Sequence, residues 1–400
     1  MIELFREQLG VGVFSSEFAD VFARANTEYA DFGVFFLERE YLLRVQQNLN
    51  AYPRTLEAVL QEADRLKKDP DAALYALFVY RAMECRALFL KHLSLFTFPE
   101  KYPLFAFLCL IPAMETTYRI LTARNLPADI VEQTIGQYED CVFLHQKRFD
   151  EYGLHKRYFD HLQLYVDGKI LNLGRMRFEM CRLDDPVYVL RHRASGELTL
   201  LFGAGEMRSD GLYRDTPPVT EEGGFTASFQ ETETAYIGHP VSADGKCGSR
   251  PVSLLKENYE LLMKPGDTCL GGHLTDRGAL DAEACRESYL RAVDIFRTYY
   301  PEFKIHGLKV HTWLLAPELE QMLSANSRIL AFGKQYILYP IHTEGKDVLN
   351  FVFNLRFKTY QDLPEDTSLQ RNLKKLYLSG GLLYEYGGIF ADWYVLAHSE

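Results

Sequence analysis

The chain has 400 residues, 47% hydrophobic and 14% aromatic, which fits two packed domains and excludes a disordered polymer. Its formal net charge of −11, with no long Lys/Arg run, argues against nucleic acid and anionic membrane as partners. Seven scattered cysteines with no CxxC pair read as reduced, mostly buried thiols and point to a cytoplasmic protein. The opening MIELFREQLG carries charge at once and is not a signal peptide, and the most apolar run, 103–114, is too short to span a bilayer and is broken by Pro112.

Residues 1–160 read as helices. Leu56, Val59, Leu60, Ala63 and Leu66 recur at helical spacing. The run 73–93 is apolar nearly all round and predicts a central helix. Pro127 predicts the start of another. The pattern changes near 161. RMRFEMCRL at 175–183 alternates as a strand does, and two further runs flank the turn Ala194-Ser195-Gly196. A hydrophilic stretch, 208–224, predicts a surface loop. A hairpin follows, then a turn at Asp244-Gly245.

From here the order is strand (268–274), polar loop, amphipathic helix (282–300) and strand (308–315). The helix repeats apolar residues at Cys285, Tyr289, Ala292, Val293, Phe296 and Tyr300, and Pro301 ends it. Residues 329–341 and 347–354 predict two more strands. A last helix over about 366–379 ends at Gly380-Gly381.

LYVDGKILNLGRMRFEM (164–180), IGHPVSADGK (237–246), LMKPGDTCLGGHLTDRGALDAEACRESY (262–289), VHTWLLAPELEQML (310–323), SRILAF (327–332) and DLPEDTSLQRNLKKLYLSGG (362–381) stand in collinear order. Together they resemble a bacterial family labelled "acyltransferase domain-containing", with a helical N-acyltransferase-type N-terminal domain and a GNAT-like C-terminal domain. The resemblance implies an α+β fold. A helical domain over 1–160 would precede a GNAT-like mixed β-sheet domain flanked by helices over 161–400. It also implies transfer of an acyl group from acetyl-CoA or another acyl-CoA to a small-molecule or peptide amine, without a metal. Where relatives read His-Ile-Pro-Glu-Gly-Gly, this chain has His273-Leu274-Thr275-Asp276-Arg277-Gly278, so the Pro-Glu pair is lost.

In GNAT enzymes a glycine-containing loop and a helix N-terminus cradle the pyrophosphate of coenzyme A. Arg277, Gly278 and Ala279 suit that task here, while Asp281, a helix cap by type, and Glu283 oppose a phosphate. Gly271 and Gly272 would let pantetheine approach the strand, or would simply form a bulge. His273 and His311 on neighbouring strands are candidate proton acceptors, or hydrogen-bonded structural histidines. With His239 they would make a three-histidine metal site only if all converged. Arg175, Arg177 and Glu179 alternate and predict a salt-bridged strand face. The usual general-acid Tyr is absent from 316–323, leaving Tyr336 and Tyr339 as substitutes. The alternative to an acyltransferase is a non-catalytic GNAT-like binding or interaction protein that has lost coenzyme A binding.

Overall fold

The computed structural model describes residues 16–396, apart from 220–222, 276–277 and 354–356. The chain divides into two compact units between Asn172 and Leu173. The first is helical: α1 (Ala19–Phe32), α2 (Arg39–Leu49), α3 (Leu56–Lys67), α4 (Pro70–Glu84), α5 (Arg86–Lys91), α6 (Phe105–Ala123), α7 (Ala128–Phe149) and α8 (Lys156–Val166). The run expected to be one central helix is two, because the backbone leaves helical geometry at Cys85. Asp69 caps α4 by accepting from the Ala72 N–H, with Pro70 in the first turn. Pro112 does not end its element: α6 runs through it and buries every residue from Phe105 to Met114. Among the described residues, no helix is long and apolar enough to cross a membrane.

Strand β1 (Ile170–Leu173) spans the boundary between the units. The second unit holds two sheets. The antiparallel one contains β3 (Val187–His192), β4 (Leu198–Phe202), β5 (Ala204–Met207), β6 (Phe225–Glu231), β7 (Ala235–Pro240), β8 (Val252–Leu255) and β9 (Tyr259–Met263). Its order is β5-β6-β7-β4-β3-β9, with β8 also on β7. The predicted turn at 194–196 closes the β3–β4 hairpin.

The mixed sheet runs β2 (Met176–Arg182), β10 (Thr268–Leu274), β11 (Leu308–Thr312), β13 (Tyr386–Phe390), β12 (Tyr336–Pro340). Between β10 and β11 the chain forms α9 (Ala282–Tyr299), so the two strands are joined by a helical crossover and pair in parallel, as expected. Tyr289 of α9 packs on Phe178 and Phe390, with ring centroids 6.3 and 4.1 Å away, and its hydroxyl meets that of Tyr336 at 2.6 Å. One face of the sheet is thus a buried aromatic and aliphatic layer under α9. Tyr336 belongs to that layer.

Three expectations in this unit are corrected. Residues 328–333 form a helical turn started by Ser327, which accepts from the Ile329 N–H, so only Tyr336–Pro340 of the expected strand is extended. Asp347–Val352 is a helix, not a strand. Strand β11 stops at Thr312, and Trp313–Leu315 is a tight helical turn. The last long helix is close to its predicted range, at Ser368–Leu378. Thr367 and Gln370 form a capping box, and Gly380 lies at φ +81° beyond its end.

Candidate active site

Strand pairing places the chemistry. The parallel ladder between β10 and β11 holds two residue pairs, Leu270 with Leu308 and Gly271 with Lys309. Past Gly271, β10 stays bonded to β2 as far as Leu274, with His273 opposite Arg177. Past Lys309, β11 stays bonded to β13, with His311 opposite Gly387. The inner edges of the two strands therefore part.

Paired residues share a face and successive residues alternate. Arg177, Glu179, Cys181, Gly271, His273, Lys309, His311, Gly387 and Tyr339 all fall on the face opposite α9. Gly272 falls on the α9 face, where a Cβ would lie 3.0 Å from Val310 and 3.2 Å from Met176. Its lack of a side chain serves the packing under the helix. Gly271 opens the polar face: a Cβ there would lie 3.3 Å from Cys181 Sγ and 3.8 Å from His273 Nε2.

The His273 ring meets Glu179 Oε2 through Nε2 at 3.2 Å. Glu179, expected in an arginine ladder, thus pairs with the histidine. The carboxylate accepts from Nε2–H, which makes Nδ1 the unprotonated nitrogen of the neutral ring. The His273 side chain is 37% exposed. Burial lowers its pKa from the usual imidazole value, and Glu179 opposes that shift.

His311 belongs to a tighter cluster. Asp185 Oδ2 accepts from His311 Nε2 at 2.9 Å, from the Tyr339 hydroxyl at 3.0 Å and from Lys309 Nζ at 3.0 Å. Lys309 also bonds Asp184. Burial would raise the Asp185 pKa, but His311 and Lys309 outweigh it and hold the carboxyl well below its usual range. The same pairing pushes Lys309 up against its own burial. Burial and Asp185 push Tyr339 far up, so this tyrosine stays protonated and committed to Asp185. Lys309, two residues before His311 on one strand face, was legible by alternation and was missed. Asp185 lies in the bend before β3 and had no local signal.

Glycine makes this cluster possible. The Tyr339 ring lies across Gly387, where a Cβ would sit 2.2 Å from the ring. Gly387→Ala must displace a fully buried ring and is expected to cost about 1–3 kcal/mol, the usual range for overpacking. Urea unfolding of the variant measures it.

Beyond β10, Arg175 binds the connecting loop. Its guanidinium donates to the Ala279 carbonyl at 2.9 Å and to the Thr275 carbonyl. This corrects the expected role of Arg175, which precedes β2. Gly278 lies at φ +75° with open space where a Cβ would be, a conformation glycine adopts freely. Asp281 caps α9 as expected, accepting from the N–H groups of Glu283 and Ala284, both at 3.1 Å. Asp281 and Glu283 are exposed. Asp276 and Arg277 lie outside the described residues.

His239 does not join the other histidines. It lies on β7 in the other sheet, bonded to the Gly248 carbonyl at 2.8 Å and stacked on Phe225. Among the described residues, no group of three or more His, Cys, Asp or Glu side chains could hold a metal ion.

A cleft of about 700 Å³ opens beside His311. Glu344, Asp347 and Glu385 line it, with Lys346 and His342. Glu385 accepts from the Asp347 N–H at 3.0 Å, and burial raises its pKa.

Two parallel strands that part beyond a short ladder, joined through a helix, are the core of a GNAT-like sheet. The GNAT-like C-terminal domain family matches residues 170–390, and the chain belongs to that family. No curated protein sequence matches the chain. Among solved structures, it is similar to an acyltransferase in complex with decanoyl-CoA, at 16% identity and a TM-score of 0.63 over 98% of this chain and 99% of that one. An acyltransferase mutant in complex with octanoyl-CoA matches at 17% and 0.62, over 97% and 99% of the two chains. An acyltransferase in complex with CoA and 10C-Teicoplanin matches at 16% and 0.62, over 97% and 98%. At such identities the likeness establishes a shared fold.

Proposed function

We propose that the protein transfers an acyl group from acyl-CoA to an amine. The observation that carries this reading is the parting of β10 and β11 beside His273. The diverging strand edges there suit the amides of pantetheine, which would bring the thioester over Gly271. The similar structures that hold octanoyl-CoA and decanoyl-CoA support an acyl-CoA donor.

The chemistry asks little of the protein. The amine nitrogen attacks the thioester carbonyl, the new C–N bond forms, and coenzyme A leaves as its thiolate. The proton lost by nitrogen passes to a neutral imidazole. His273 fits that role, with Nε2–H tied to Glu179 and its pKa lowered. His311, whose Nε2 is tied to Asp185, fits a positioning role on the wall of the acceptor cleft. Three carboxylates against one lysine there favour a cationic amine over an anionic acceptor. Gly278 and Ala279 would face the pyrophosphate. An odd number of scattered cysteines without a CxxC pair supports a reducing, cytoplasmic setting.

One observation favours the alternative, a GNAT-like binding protein without coenzyme A. Asp281 already occupies two N–H groups at the start of α9 and sets a carboxylate there. Calorimetric titration with acetyl-CoA, octanoyl-CoA and decanoyl-CoA decides between the two. No heat at about millimolar ligand, a Kd equivalent to roughly 4 kcal/mol, rejects the acyltransferase.

The route of pantetheine has its own test. Gly271→Val would fill the polar face where the strands part. It is expected to weaken acyl-CoA binding by about ten-fold or more, roughly 1.4 kcal/mol. Unchanged affinity in a folded variant would move the thioester elsewhere.

A further inference from the structure

Cys181 and Cys269 are direct partners on the antiparallel strands β2 and β10, and their sulfurs lie 3.6 Å apart. All seven thiols are free. Cross-strand partners have Cα atoms about 4.5–5.5 Å apart, inside the span of roughly 4.4–6.8 Å that disulfides bridge. Opposite Cβ atoms, about 4.5–5.5 Å apart on such strands, must draw together toward the roughly 3.5–4.5 Å of a disulfide, so closure couples side-chain rotation to a small local shift of the two strands.

The two thiols are unequal. Cys269 is fully buried, whereas Cys181 is partly exposed on the polar face. The Cys181 thiol is lowered by its bond to Cys269 and by the nearby Lys309 charge, against its own burial, while the Cys269 thiol is pushed up. A partly exposed thiol beside a buried one is the arrangement of an attacking and a resolving cysteine.

We propose that Cys181 and Cys269 form a peroxide-reactive dithiol that closes to a disulfide. The Cys181 thiolate attacks one oxygen of a hydroperoxide. The O–O bond breaks, Cys181 becomes a sulfenic acid, and the other oxygen leaves as water or an alcohol after protonation. The Cys269 sulfur then attacks the Cys181 sulfur. The S–S bond forms, and the sulfenic oxygen leaves as water with the Cys269 proton. Two thiols lose two electrons, and the peroxide gains them. Because Cys181 Sγ lies 3.3 Å from the β-position of Gly271, the reaction alters the wall of the site over which the thioester is proposed to lie.

The test uses the full-length protein treated with stoichiometric hydrogen peroxide, then alkylated and mapped by mass spectrometry. The expected product has lost two hydrogens, joins the Cys181 and Cys269 peptides, and reverts with dithiothreitol. In Cys269→Ser, a sulfenic acid probe should label Cys181 at least about ten-fold faster than Cys85, the other cysteine that is not buried. Seven alkylated cysteines after peroxide, a bond elsewhere, or equal labelling of Cys85 would each overturn the proposal. Cys181→Ser should form no disulfide, and a disulfide in it that uses Cys269 would also count against it.

Discussion

His273→Ala is expected to reduce turnover by about 10²- to 10⁴-fold, the range for losing a positioned general base, with acyl-CoA affinity nearly unchanged. The split follows from where the ring sits. It is on β10 just past the last residue paired with β11, beside the proposed thioester rather than along the pyrophosphate loop. An imidazole accepts a proton only when neutral, so activity should fall as pH drops through the His273 pKa. Burial lowers that pKa, so the acid limb of kcat/KM should lie below the ordinary imidazole value of about 6.5. Glu179 pulls the pKa upward. Glu179→Gln should therefore move the limb to still lower pH, while the amide oxygen still accepts from Nε2–H and keeps the ring oriented. A limb that stays put in Glu179→Gln, or full turnover in His273→Ala, would assign the proton transfer to another group.

The histidines were legible because each lies on a segment whose strand character is local. Thr268–Leu274 and Leu308–Thr312 are short apolar runs flanking a helix with clear periodicity, and that order alone implies parallel neighbours. What lies between β11 and the edge of the sheet was not legible. Strand β13 contains Gly387 and Gly388, which weaken any strand signal. Both are glycine because side chains from elsewhere, Tyr339 and Leu315, pack where their Cβ atoms would be. That is a tertiary requirement with no local trace. Asp347–Val352 and Arg328–Gly333 were misread for the opposite reason. Six residues rich in Val, Ile, Leu and Phe satisfy either period, and only the packing decides. The carboxylates show the same division. Asp281 was identified as a cap from its place before an amphipathic helix. Asp185, 126 residues from His311, was not.

The Asp185 cluster carries the largest expected change in stability. Lys309 is a buried cation, its side chain 9% exposed, and Asp185, its side chain 13% exposed, is the anion that compensates it. Its second partner, Asp184, is 80% exposed and is screened by water, so it replaces little of that compensation. Asp185→Asn should cost about 3 kcal/mol, the lower end of the range for breaking a buried pair from one side. Lys309→Met in the Asp185→Asn background should recover much of the loss, because it removes the orphaned charge. The pH dependence has a definite sign. The Asp185 carboxyl is held below its unfolded value, so its stabilisation is present above about pH 4 and is lost as pH falls toward the folded pKa. Wild-type protein should thus lose stability on acidification below about pH 4 more steeply than Asp185→Asn, measured by urea midpoints across the window. His311 and Tyr339 bond the same oxygen, so the substitution should also loosen the wall of the cleft proposed to hold the acceptor. The acceptor KM should then rise while acyl-CoA affinity holds. A variant that lost acyl-CoA binding and acceptor binding together would show that Asp185 supports the whole sheet rather than one side of the cleft.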